Sequence, residues 1–116
     1  DENGYISIVG RDKDLIISGG LNIYPKEVEG LIDEIEGVLE SAVVGVPHKD
    51  FGEAVIAVVV RTDATLSAEI IGASLGVHLA KFKQPKSIFF VDNLPRNSMG
   101  KVQKAQLRET HKDLFA

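Results

Sequence analysis

The sequence predicts a small α+β domain in which a mixed or antiparallel sheet is covered by helices. Three observations predict it. The length of 116 residues suits one domain and leaves no room for a second catalytic one. Short β-like runs alternate with stretches of helical periodicity. The composition, 44% hydrophobic and 26% charged, is that of an ordinary globular domain with one real core. From Leu15 onward the elements read β-α-β-β-α-β-α, and an earlier β-like run at residues 5–9 makes the whole roughly β-β-α-β-β-α-β-α.

Each element has its own signal. Leu15-Ile16-Ile17 is a β-like run, interrupted by Ser18-Gly19-Gly20, where two glycines suggest a turn, and resumed at Leu21-Asn22-Ile23-Tyr24. Pro25 suits the first position of a helix, Glu27 and Glu29 suit its positive N-terminal end, and Val28, Leu31, Ile32 and Ile35 repeat at helical spacing up to a stop at Gly37. Residues 41–46 and 54–60 are β-rich and are joined by Pro47-His48-Lys49-Asp50-Phe51-Gly52, which fits an antiparallel hairpin with a long loop. Ser67 caps a second helix whose Ile71, Leu75 and Leu79 align. Gly72 and Gly76 inside it each cost about 1 kcal/mol relative to alanine, so this helix leans on packing up to its end at Pro85. Ser87-Ile88-Phe89-Phe90-Val91 reads as a buried strand, residues 92–100 as a loop, and residues 103–114 as a helix.

The net charge of −4 conceals an asymmetry. Residues 1–80 hold 5 Lys/Arg against 14 Asp/Glu, net −9, whereas residues 81–116 hold 8 against 3, net +5. The basic third could attract a polyanion such as a nucleotide, a coenzyme phosphate or RNA, although a solvated helix face is the better explanation of such a run by itself. The absence of cysteine removes disulfides, thiol nucleophiles and Cys-type zinc sites, and an intracellular, cytoplasmic setting is expected. The longest apolar run, residues 54–60, is far short of the ~20 residues that a membrane span needs, and Asp1-Glu2-Asn3-Gly4 has no signal-peptide character. No membrane association is expected.

Several familiar phosphate and metal motifs fail on spacing. A Walker loop around Gly100-Lys101 would need glycine where Pro95 stands and Ser or Thr where Val102 stands, and Gly19-Gly20 lacks the third glycine of a dinucleotide fingerprint. His48, His78 and His111 lie too far apart for a local metal motif, and no metal site is expected. The segment Leu94-Pro95-Arg96-Asn97-Ser98-Met99-Gly100-Lys101 differs in kind. It presents a lysine from a polar loop between a buried strand and a helix, where the ammonium can meet a carboxylate or a phosphate. Judged by that spacing alone, an ordinary exposed loop lysine explains it better.

The combination of segments points further. Gly10-Arg11-Asp12-Lys13-Asp14-Leu15-Ile16-Ile17-Ser18-Gly19-Gly20-Leu21-Asn22-Ile23-Tyr24-Pro25-Lys26-Glu27-Val28-Glu29 closely resembles the hinge motif of the AMP-forming acyl-CoA synthetase superfamily. Leu94-Pro95-Arg96-Asn97-Ser98-Met99-Gly100-Lys101-Val102 resembles its C-terminal lysine motif, and Phe82-Lys83-Gln84-Pro85-Lys86 resembles the segment that precedes it. Asn3-Gly4-Tyr5 is similar to the lead-in to the hinge. Three motifs in the right order cover most of the chain.

The resemblance implies the small, mobile C-terminal domain of such a ligase, residues 1–116, cut close to the hinge and inactive without a large N-terminal domain. It also implies ATP, coenzyme A and a carboxylic acid as substrates, with Mg2+ accompanying ATP. Lys101 would be the adenylation lysine and Lys13 the hinge, Arg11 would support the nucleotide side, and Gly19 and Gly20 would line the path of the pantetheine arm. Lys81, Lys83 and Lys104 are candidates for the coenzyme's phosphates, and no motif chooses among them. The wording from Phe82 through Lys101 to Arg108-Glu109-Thr110 and Lys112-Asp113-Leu114 is most similar to malonyl-CoA synthetases.

Two other function classes remain open at this level. The first is a regulatory or protein-interaction domain whose Lys101 is recognised by a lysine acyltransferase. The second is an RNA-binding module, since the β-α-β-β-α-β order also occurs in RNA-recognition domains. Against it stand an aromatic content of 6%, strands without the aromatic RNA-binding pattern and a negative overall charge, so no nucleic-acid partner is expected.

Overall fold

The computed structural model describes residues 15–50 and 52–115. Arg11, Lys13 and the β-like run at 5–9 lie outside the described residues. The elements are β1 (Ile16–Ser18), β2 (Leu21–Ile23), α1 (Pro25–Asp33), β3 (Val38–His48), β4 (Gly52–Arg61), α2 (Ala68–His78), a 3-10 turn (Lys81–Lys83), β5 (Ser87–Phe90) and α3 (Lys104–His111). They build one mixed sheet. β3 pairs antiparallel with β4 along its full length, while the other side of β4 pairs with β1 at Gly52 and, in parallel, with β5 from Ile56 to Val59. This is the α+β architecture that the sequence predicts.

The central strand explains the layering. Residues 54–60 of β4 are all buried, as expected of a strand covered on both faces. Because side chains alternate, Val55, Ala57 and Val59 join Ile16, Ile23, Val28, Ile32, Ile71 and Leu75 beneath α1 and α2. Ile56, Val58 and Val60 join Ala42, Val44, Val46, Leu94 and Leu107 beneath α3 and the loop before it. Among the described residues no polar or charged side chain is buried. A one-residue slip of β4 would exchange every one of these positions between the two faces, so the register is firmly fixed.

Several boundaries differ from those expected. The run at residues 15–24 is two strands, paired Ile16 to Ile23 and Ser18 to Leu21, with Gly19 and Gly20 as a two-residue hairpin loop. Both glycines have positive φ, +60° and +83°, which such a tight turn requires. α1 stops at Asp33, before Gly37. The β3–β4 connection is shorter than predicted, because β3 continues through Pro47 to His48; proline is tolerated there since β3 is an edge strand. α2, capped by the Ser67 hydroxyl accepting from the Ile70 amide, ends at His78, and the 3-10 turn fills the stretch to Pro85. β5 is half-buried, not buried. Among the described residues no helix is long and apolar enough to cross a membrane.

Candidate functional site

The loop before α3 is built to hold one lysine outward. Leu94 is buried, and Val102 packs partly buried against the same apolar cluster, so the segment is seated on the sheet at both ends. Between them Arg96 and Val102 form an antiparallel bridge, and the Gln103 amide donates to the Pro95 carbonyl at 2.8 Å. With Val102 turned inward, its neighbour Lys101 projects into solvent and is exposed.

Asn97 organises the tip. Its side-chain oxygen accepts from the Met99 amide at 2.9 Å and from the Lys101 amide at 3.0 Å, and the Gly100 amide donates to its carbonyl at 2.9 Å. Gly100, at φ +81°, supplies the left-handed turn that closes this small hairpin. Arg96 donates to the Gly100 carbonyl at 2.8 Å and pairs with Glu40 on β3. The backbone that carries Lys101 is thus fixed by side chains on either side of it, while the ammonium stays available.

Beside the loop lies a cleft of about 540 Å³, lined among others by Lys26, Glu29, Ser41, Lys101, Lys104 and Arg108. Glu29 crosses its floor: one carboxylate oxygen accepts from the Val43 edge amide at 2.8 Å and meets the Lys104 ammonium at 2.7 Å. Further along the same edge of β3, partial burial pushes the Asp33 carboxyl above the usual aspartate range. The Ser41 hydroxyl, donating at 2.8 Å, pulls it down, and the charges of Glu29 and Glu40 push it up again. The result is an acidic edge facing a basic loop, which suits approach of an anion to Lys101 and not to the edge itself.

The Gly19–Gly20 hairpin stands apart. It borders a second cleft of about 490 Å³, lined by Ser18, Gly19, Leu21, Val55, Lys81, Gln84 and Lys86, on the side of β4 that pairs with β1 and β5. The two clefts share no lining residue. Of the lysines that sequence associated with coenzyme phosphates, Lys81 lies here, Lys83 is paired with Glu27 at 3.1 Å, and Lys104 lies in the other cleft. The structure therefore divides that group. Among the described residues no cluster of three or more His, Cys, Asp or Glu could hold a metal ion.

Sequence reasoning missed Asn97, Glu29 and Glu40. Asn97 had a local signal, an Asn three residues before glycine in a turn-forming segment. Glu40 is separated from Arg96 by 56 residues, and nothing local pairs them.

Comparison with known proteins places the chain in a family. Residues 27–101 match the family described as the AMP-binding enzyme C-terminal domain. A curated relative is the 3-[(3aS,4S,7aS)-7a-methyl-1,5-dioxo-octahydro-1H-inden-4-yl]propanoyl:CoA ligase of Rhodococcus jostii (strain RHA1), 49% identical over 113 residues, which are 97% of this chain and 22% of that protein. Among solved structures, apo MatB from Rhodopseudomonas palustris is 60% identical with a TM-score of 0.87, covering 100% of this chain and 23% of that one. ATP-bound MatB from the same organism is 58% identical with a TM-score of 0.88, covering 90% and 21%. The chain spans about a fifth of the length of the relatives it matches. With the family match covering well over half its residues and these identities over nearly all of them, the chain belongs to the C-terminal domain family of AMP-binding enzymes.

Proposed function

We propose that this chain is the mobile C-terminal domain of an ATP-dependent acid–thiol ligase, which acts with a large N-terminal domain and does not turn over alone. Support comes from the CoA ligase named among its relatives and the ATP-bound structure among its neighbours. The observation that carries the reading is Lys101, exposed on a backbone held by Asn97 and Arg96.

In the first step a carboxylate oxygen of the acid attacks the α-phosphorus of ATP, the α–β phosphoanhydride bond breaks, and pyrophosphate leaves. Two anions must meet, and the Lys101 ammonium between them offsets their repulsion where charge develops. In the second step the coenzyme A thiol loses its proton and its sulfur attacks the acyl carbonyl, AMP leaves, and the thioester forms. For this step the domain swings about Lys13 and brings the Gly19–Gly20 hairpin to the pantetheine arm, with Lys81 near the coenzyme's phosphates. Arg11 supports the nucleotide side. Mg2+ enters as the counterion of ATP.

Malonate is the acid we favour. The C-terminal wording resembles malonyl-CoA synthetases, and identity to MatB reaches 60%, above the 49% to the curated ligase. The cytoplasm, which supplies ATP and coenzyme A, is the proposed location. An exposed lysine is also open to a lysine acyltransferase, and acylation would remove the charge that the first step uses.

The test is Lys101→Ala in the full-length ligase. Acid-dependent pyrophosphate release should fall by about 10²-fold or more. Release at the unmodified rate would contradict the role given to Lys101.

A further inference from the structure

Glu29 sits where three elements meet. It belongs to α1, which covers one face of the sheet, yet its carboxylate reaches the outer edge of β3 and grips the first residue of α3, on the opposite face. A single oxygen, Oε2, accepts from Val43 at 2.8 Å and meets Lys104 at 2.7 Å. The pair is well shielded, with side chains 17% (Lys104) and 12% (Glu29) exposed, against 40% and 30% for Arg96 and Glu40. Shielding from water and salt makes the first pair the stronger constraint, and removing one partner leaves a poorly solvated charge. Lys104 follows Lys101 by three residues, and the intervening Val102 and Gln103 are held by the Arg96 bridge and the Pro95 carbonyl. Little slack separates the clamp from the lysine.

We propose that Glu29, acting through Lys104, is a positioning residue for adenylation: it fixes the start of α3 against the β3 edge and thereby sets where Lys101 stands. This rests on the reading of Lys101 given above. Lys104 is accordingly a strut, not a contact to substrate, although it lines the same cleft as Lys101. Glu40 and Arg96 form a second, more exposed strut that ties the loop to β3.

The test uses the full-length ligase and a double-mutant cycle. Glu29→Gln keeps the shape and an oxygen for the Val43 amide but removes the charge, and Lys104→Met keeps length and removes the ammonium. Each single variant should lower kcat for acid-dependent pyrophosphate release about tenfold, with KM for ATP and acid within about twofold, as misplacement of a reacting group does. Conversion of supplied acyl-AMP to thioester should stay near the unmodified rate. The double variant should be no worse than either single one, because both remove one interaction.

Additive losses would show that Lys104 acts on substrate independently of Glu29 and would overturn the proposal. Equal losses in both half-reactions would reduce the pair to general stability and overturn it as well. Lys101→Ala, run alongside, separates the two levels: full adenylation in that variant defeats the reading of Lys101, whereas its loss together with unimpaired clamp variants defeats the clamp alone.

Discussion

Gly45 shows how closely single atoms are fitted around the hairpin that carries Gly19 and Gly20. A Cβ built there would stand 3.0 Å and 3.1 Å from two carbons of Ile16 and 3.2 Å from the carboxyl carbon of Glu53. Ile16 is fully buried, and Glu53 is itself engaged, accepting from the Ile17 amide at 2.9 Å, so neither yields freely. Gly45→Ala should therefore destabilise the chain by about 1–3 kcal/mol through overpacking, measured by denaturant unfolding. An unchanged midpoint would show that the hairpin shifts without cost. At this scale Pro95, Asn97 and Gly100 made the loop legible in the sequence, whereas only the resemblance of the whole segment to a family motif singled out Lys101 within it. Gly45 and Glu29 were not legible. The first matters through a strand far away in the chain, and the second reads locally as an ordinary acidic residue in the first turns of a helix.

Among the elements, α2 is the one whose own sequence supports it least. Ser67 caps it and Ile71 and Leu75 anchor it, but two glycines lie inside it. A Cβ at Gly72 would meet nothing within 4 Å. Gly72→Ala should accordingly raise stability by about 0.5–1 kcal/mol, seen as a higher unfolding midpoint, and a lower midpoint would contradict the packing described here. α1 and α2 were legible because their apolar positions recur at helical spacing, and the β3–β4 hairpin because two β-branched apolar runs flank a turn-type connection. The β1–β2 hairpin was less so. Three-residue strands carry too little alternation to show where one ends, and only the glycine pair marked the turn. Likewise β3 runs through Pro47 against local expectation, because its open edge leaves the missing amide without a partner to disappoint.

On the scale of the whole molecule, the sheet separates two sites. Lys101 and its cleft lie against the outer edge of β3, and the Gly19 hairpin with Lys81 lies across β4, on the side that pairs with β1 and β5. The alternation of β4 side chains between two apolar clusters ties both sites to one rigid sheet. Under the proposed function, such a body would offer one edge to the first half-reaction and the other to the second by turning as a unit. That separation was not visible in the sequence, where Gly19 and Lys101 are simply distant. Single-turnover quench measurements on the full-length ligase, following acyl-AMP and thioester separately in Lys101→Ala and Gly20→Leu, test whether the two edges serve separate steps. Lys101→Ala should form almost no acyl-AMP yet convert supplied acyl-AMP to thioester. Gly20→Leu, with a side chain forced onto a residue at φ +83°, should form acyl-AMP at the unmodified rate and stall before thioester. Loss of the same half-reaction in both variants, or unimpaired thioester formation in Gly20→Leu, would show that the two edges do not serve separate steps.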